Sequence, residues 1–104
     1  MSQRKGRAAR ATRISPPPRW DGEAQELWVG DQLIKKFERP ADLVGPVLDE
    51  FERGAWKHCV ENPFAGQPDA KLQLRLARKL LNRYQKMIRF RCAGDSMHMT
   101  WEWR

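Results

Sequence analysis

At 104 residues the chain holds one domain at most, and no apolar run approaches the roughly 18 residues of a membrane-spanning helix, so such a span is excluded. Two cysteines exclude a disulfide-stapled mini-fold, which points to a cytoplasmic protein whose core comes from packing of its five Trp, four Phe and four Met. The net charge of +7 is unevenly spread. Residues 1–19 carry Arg4, Lys5, Arg7, Arg10, Arg13 and Arg19 with no acid. Residues 20–69 carry eleven acids against five bases, and residues 70–94 carry eight bases and no acid. Two acid-free basic blocks around an acidic middle point to a polyanionic partner, nucleic acid above all.

Residues 1–25 read as a basic tail and Pro-rich spacer, and residues 26–104 as the folded domain. Through Arg19 the tail has one aliphatic residue beyond alanine, Ile14, too little to fold alone, and Pro16-Pro17-Pro18 reads as a stiff extended spacer. It lacks the hydrophobic stretch of a secretory signal; an organellar transit peptide, also Arg-rich and acid-free, is the lesser alternative.

Leu27-Trp28-Val29 and Leu33 to Phe37 are strand-like, and Gly30-Asp31-Gln32 carries turn chemistry, which predicts an N-terminal β-hairpin. Pro40-Ala41-Asp42 then opens a helix with Asp42 as N-cap. Leu43, Val44, Val47, Leu48 and Phe51 follow helical spacing, Pro46 belongs in the first turn, and Gly54 is a C′ stop. Asp49, Glu50 and Glu52 make its outer face acidic. Pro and Gly break residues 55–68 repeatedly; Trp56, Val60 and Phe64 are its anchors, with at most one helical turn at 56–60.

Asp69 caps a second, longer helix reaching about Met87. Leu72, Leu76, Ala77, Leu80, Leu81, Tyr84, Met87 and Ile88 form its apolar side; Lys71, Arg75, Arg78, Lys79, Asn82, Arg83 and Lys86 form the other. A solvated helix gains from opposite charges four residues apart, so an acid-free polar side suggests a function for the charge. The chain closes in a C-terminal hairpin. Ile88, Phe90 and Cys92 alternate with Arg89 and Arg91, and Met97, Met99, Trp101 and Trp103 alternate with His98, Thr100 and Glu102, around an Ala93–Ser96 turn.

The stretch Arg75-Leu76-Ala77-Arg78-Lys79-Leu80-Leu81, followed by Ile88-Arg89-Phe90-Arg91 and Gly94, resembles the winged-helix DNA-binding effector domains of bacterial response regulators. There a basic recognition helix runs into a wing hairpin. The wider pattern Leu27-Trp28-Val29-Gly30, Phe37, Val47-Leu48, Phe51-Glu52, Gly54 and Trp56 also resembles small bacterial proteins of no assigned function. The broken stretch 55–68 stands where those domains carry a further helix, and Asp95 stands where their wing tip is basic.

The expected fold is therefore α+β and winged-helix-like: N-terminal hairpin, two main helices, C-terminal wing. The resemblance implies double-stranded DNA as partner, in preference to RNA, and a role as a small transcription regulator or accessory subunit. On that docking, Arg75, Arg78 and Asn82 face base edges, where Arg reads guanine and Asn reads adenine. Lys71, Lys79, Arg83 and Lys86 flank them as phosphate contacts, and Arg89 and Arg91 project from the wing strand. The alternative is a protein-interaction or RNA-binding module that docks through its acidic helix and its aromatic hairpin, with Trp101 and Trp103 exposed.

His58, Cys59, Cys92 and His98 lack metal-ligand spacing, so neither a metal nor another cofactor is expected. No nucleophile elbow, zincin motif or phosphate-binding glycine loop occurs, and no enzymatic activity is expected.

Overall fold

The computed structural model describes residues 16–38 and 42–104. The chain is α+β, with two antiparallel three-stranded sheets and two helices. β1 (Pro18–Asp21), β2 (Glu26–Val29) and β3 (Gln32–Lys36) form the first sheet in sequence order. α1 (Val44–Arg53), β4 (Cys59–Glu61) and α2 (Ala70–Asn82) follow. β5 (Ile88–Cys92) and β6 (His98–Trp103) complete the second sheet, in the order β4-β6-β5.

The predicted N-terminal hairpin is β2 and β3. Val29 faces Gln32 across the two-residue turn Gly30-Asp31, whose first position has φ +57, a conformation suited to glycine. The C-terminal hairpin follows its period-2 pattern through Trp101: Ile88, Phe90, Met99 and Trp101 are buried and Arg89 and Arg91 exposed, but Trp103, expected on the buried face, is 38% exposed.

Four expectations are corrected. The ordered domain starts before residue 26. Trp20, inside the stretch read as spacer, is buried in the core, and β1 pairs along all of β2. Pro18 can enter this sheet because it is the first residue of an edge strand, where no ladder donor is required. Residues 1–15, the greater part of the expected tail, lie outside the described residues, as do residues 39–41 at the expected opening of the first helix.

At α1 the N-cap position is Leu43, not Asp42, and no side chain caps it. Pro46 does sit in the first turn. Gly54 ends the helix with φ −88, and the left-handed positions fall instead on Ala55 (φ +56) and Trp56 (φ +60). Residues 59–61 are not a helical turn but the strand β4, paired with β6 through Cys59↔Thr100 and Glu61↔His98.

Finally, α2 ends at Asn82, five residues short of Met87. The Lys35 ammonium takes the carbonyls of Leu80 (2.7 Å) and Arg83, and Tyr84 turns the chain with φ +61. Buried Gln85 fixes the exit. Its Nε2 donates to the Leu81 and Ile88 carbonyls, and its Oε1 accepts from the Met87 and Ile88 amides.

One core joins the elements. Trp20 and Leu27 come from the first sheet, Val47, Leu48 and Phe51 from α1, Leu74, Ala77 and Leu81 from α2, and Phe90, Met99 and Trp101 from the second sheet. Phe51 stacks on Trp56 at 5.1 Å, and Trp56 meets Trp101 edge-on at 5.8 Å. The Trp101 Nε1–H donates to the Trp56 and Lys57 carbonyls, so its polar end is satisfied inside. The acids of α1 serve this core. Asp49 accepts from Trp20 Nε1 at 3.0 Å, and Glu52 accepts from the Trp20 amide and from Trp56 Nε1.

Candidate nucleic-acid interface

Buried Leu74, Ala77 and Leu81 set the rotation of α2 about its axis. With that face inward, the i, i+3 and i, i+7 partners Arg75, Arg78 and Asn82 point toward β5, while Leu72, Leu76 and Leu80 fall on the opposite flank. The predicted apolar side is thus displaced. Leu72 is 49% exposed and Leu76 and Leu80 are exposed as well, while Leu74, absent from that predicted side, is fully buried.

Between α2 and the β5–β6 hairpin lies an open groove of about 570 Å³. Arg75, Arg78, Arg89, Arg91 and Arg104 all line it, and no acidic side chain does. Arg75 Nη1 donates to Ser96 Oγ at 3.2 Å, tying the helix to the β5–β6 turn. Arg91 meets Glu102 at 3.3 Å, the one ion pair made by an arginine of this groove among the described residues. Arg104 donates to the carbonyls of Ile88 (2.9 Å) and Asn82 (3.3 Å), which sets its guanidinium at one end of the groove. Unneutralised guanidiniums in a concave, partly desolvated site attract a polyanion more strongly than the same charges spread over open surface.

Of the nine expected site residues, the groove collects Arg75, Arg78, Asn82, Arg89 and Arg91. Asn82 is there in another capacity. Its Nδ2 donates to the Phe90 carbonyl (3.0 Å) and its Oδ1 accepts from the Phe90 amide (2.8 Å), so both ends of the amide hold β5 against α2. Each end of the amide is thus used once in clamping β5 to α2, a positioning role that the sequence reading did not assign to it. Lys71 lines an adjoining depression that also includes Arg75 and Met97. Lys79 is exposed outside the groove. Arg83 and Lys86 are exposed in the connection to β5 rather than on the helix, since α2 has already ended.

Arg104 was not among the expected residues. A terminal arginine beyond the alternating hairpin belongs to no pattern, and only the pairing of β6 with β5 brings it beside Ile88. Asn62 was also missed. Its Nδ2 donates to the Ala70 and Ser96 carbonyls, joining the start of α2 to the β5–β6 turn.

Cys92 is half-buried in the groove wall. Burial pushes its thiol up, while the charge and hydrogen bond of Arg78, then the charge of Arg75, pull it back. In the β5–β6 turn the Met97 amide holds the Asp95 carboxyl below its usual range; desolvation pushes the other way, and the charge and hydrogen bond of His98 add to the lowering. Burial, and then the Arg83 charge, lower the Lys35 ammonium.

The four residues weighed as metal ligands go to separate surroundings. His58 stacks on Trp101, His98 lies 3.4 Å from Asp95, Cys59 is exposed and Cys92 is in the groove. Among the described residues no three His, Cys, Asp or Glu side chains gather, and no helix is long and apolar enough to cross a membrane. Comparison with protein-family models, with curated proteins and with solved structures finds no significant match to this chain.

Proposed function

We propose that the chain is a nucleic-acid-binding module of winged-helix type that seats double-stranded DNA against α2 and the β5–β6 hairpin. The observation that carries this reading is the acid-free groove lined by five arginines. Guanidiniums bind phosphate oxygens in a bidentate way, and an open groove suits a continuous backbone better than a small molecule. In this reading α2 is the recognition helix and β5–β6 the wing.

In this reading β4 and the turns after it, rather than a further helix, lie between α1 and α2 among the described residues. With Asn82 committed to β5, most contacts fall on the backbone, so the module binds duplexes with modest sequence preference. A small cytoplasmic transcription regulator or an accessory subunit would use such a module, and no catalytic step is assigned to it. Protein docking through the acidic helix is disfavoured, because Asp49 and Glu52 are engaged with Trp20 and Trp56. Docking through Trp101 is disfavoured by its burial. A protein partner has two observations in its favour, the exposed row Leu72, Leu76 and Leu80 on the other flank of α2 and the 38% exposure of Trp103.

The test is anisotropy of a labelled random duplex. Four arginine–phosphate contacts give a slope of log K against log salt of about −4, hence roughly 200-fold weaker binding at about 200 mM than at about 50 mM salt. Binding that is absent at low salt, or indifferent to salt, would overturn the proposal.

A further inference from the structure

The turn between α2 and β5 carries a tyrosine where glycine would be the undemanding choice. Tyr84 has φ +61, a region that a Cβ disfavours, and its side chain is 92% exposed. Nothing in the core needs this ring. Cations do surround it: Lys35 Nζ lies 5.9 Å and the Arg83 guanidinium 5.8 Å from the ring centroid, and Lys86 follows two residues later. At that exposure at least one ring face is open. The turn that carries the ring begins at the Arg104 end of the groove, where the carbonyl of Asn82, two residues before Tyr84, accepts from Arg104 Nη2.

We propose that Tyr84 is a stacking platform for an unpaired nucleobase, placed where a strand leaves the arginine groove. The open π-face takes the base, and Lys35, Arg83 and Lys86 attract the phosphates on either side of it. A base-stacking site needs this combination of a flat exposed ring and nearby cations, with no hydrogen-bonding code. The inference rests on the nucleic-acid reading above and sharpens its ligand: a duplex with a single-stranded extension, preferred over a blunt one.

The experiment compares a blunt duplex, the same duplex with a three-nucleotide overhang, and that overhang with its bases removed, each against the full chain and two variants. Tyr84→Gly removes the ring in a conformation glycine adopts freely, and Tyr84→Phe keeps it. The parent and Y84F should bind the overhang duplex at least about five-fold more tightly than the blunt one, by the usual strength of one base–aromatic stack. Y84G should bind all three alike, at the parent's blunt-duplex affinity, and the abasic overhang should give the parent no advantage. An overhang preference that survives in Y84G, or is missing in a parent that binds blunt duplex, overturns the platform and leaves the groove reading standing. A parent that binds none of the three overturns both.

Discussion

The acidic middle of the chain and its basic C-terminal third use charge in opposite ways. In the first, carboxylates are put to work inside the fold. Asp49 and Glu52 receive tryptophan N–H groups, Glu26 meets Trp28 and Lys36, and Glu50 pairs with Arg53. In the second, eight cations of residues 70–94 share one acid partner among the described residues, Glu102 on Arg91. The amides there do the internal work instead: Asn82 and Gln85 bind backbone and hold β5 to the end of α2. Carboxylates and neutral amides thus satisfy the interior, and seven of the eight cations form no ion pair among the described residues.

The largest test of the internal side of this contrast is Trp101→Ala. The ring is 5% exposed and its N–H is bonded twice, so the substitution should cost about 3–5 kcal/mol in urea unfolding. A cost under about 1 kcal/mol would mean that the hairpin does not anchor the core. Removing residues 1–25 strips β1 and Trp20 and takes away the Trp20 N–H groups that Asp49 and Glu52 accept from. Glu52 keeps its bond from Trp56 Nε1, and the loss of the Trp20 ring should still cost roughly 3 kcal/mol or more, visible as a lowered Tm. An unchanged Tm would restore residues 18–25 to the status of spacer.

These two outcomes also separate what the sequence disclosed from what it hid. The C-terminal hairpin was legible because strict alternation from Ile88 to Cys92 and from Met97 to Trp103 has one reading. The partners of β1 were not. Pro16-Pro17-Pro18 signals a spacer, and nothing local reveals that Trp20 meets helix carboxylates 29 and 32 residues away. β4 was hidden for the same reason, since its three residues are strand only through pairing with β6.

On α2 the existence of the helix was legible and its rotation was not. Leucines at 72, 74, 76, 80 and 81 spread over most of the circumference, and only packing against α1 and β5 selects Leu74 and Leu81 for the inside. The basic stripe survived that error because Arg75 and Arg78 lie at the margin of either choice. Asn82 did not, because a polar residue facing a groove and one clamping a strand look alike in sequence.

A smaller effect is expected at that clamp. Asn82→Ala leaves the Phe90 amide and carbonyl without partners and should cost about 1–3 kcal/mol of stability. Sequence preference should be unaffected in conditions where the variant is folded. A stable variant with altered preference would return Asn82 to base reading.

The smallest effect concerns the thiols. Exposed Cys59 should be alkylated faster than Cys92, whose thiol burial pushes up. Saturating duplex should slow the modification of Cys92 alone, as followed by mass spectrometry. Equal protection of both, or of neither, would place the duplex elsewhere.

The most direct measurement of the central claim, that the groove arginines bind phosphate, is the salt dependence of duplex binding by Arg75→Glu/Arg78→Glu beside the parent. Arg75 is exposed and Arg78 partly so, and neither forms an ion pair among the described residues, so the double variant should fold. Its slope of log K against log salt should be shallower by roughly two, about 0.9 for each lost phosphate contact. A folded double variant that binds with the parent's affinity and the parent's slope would contradict the account.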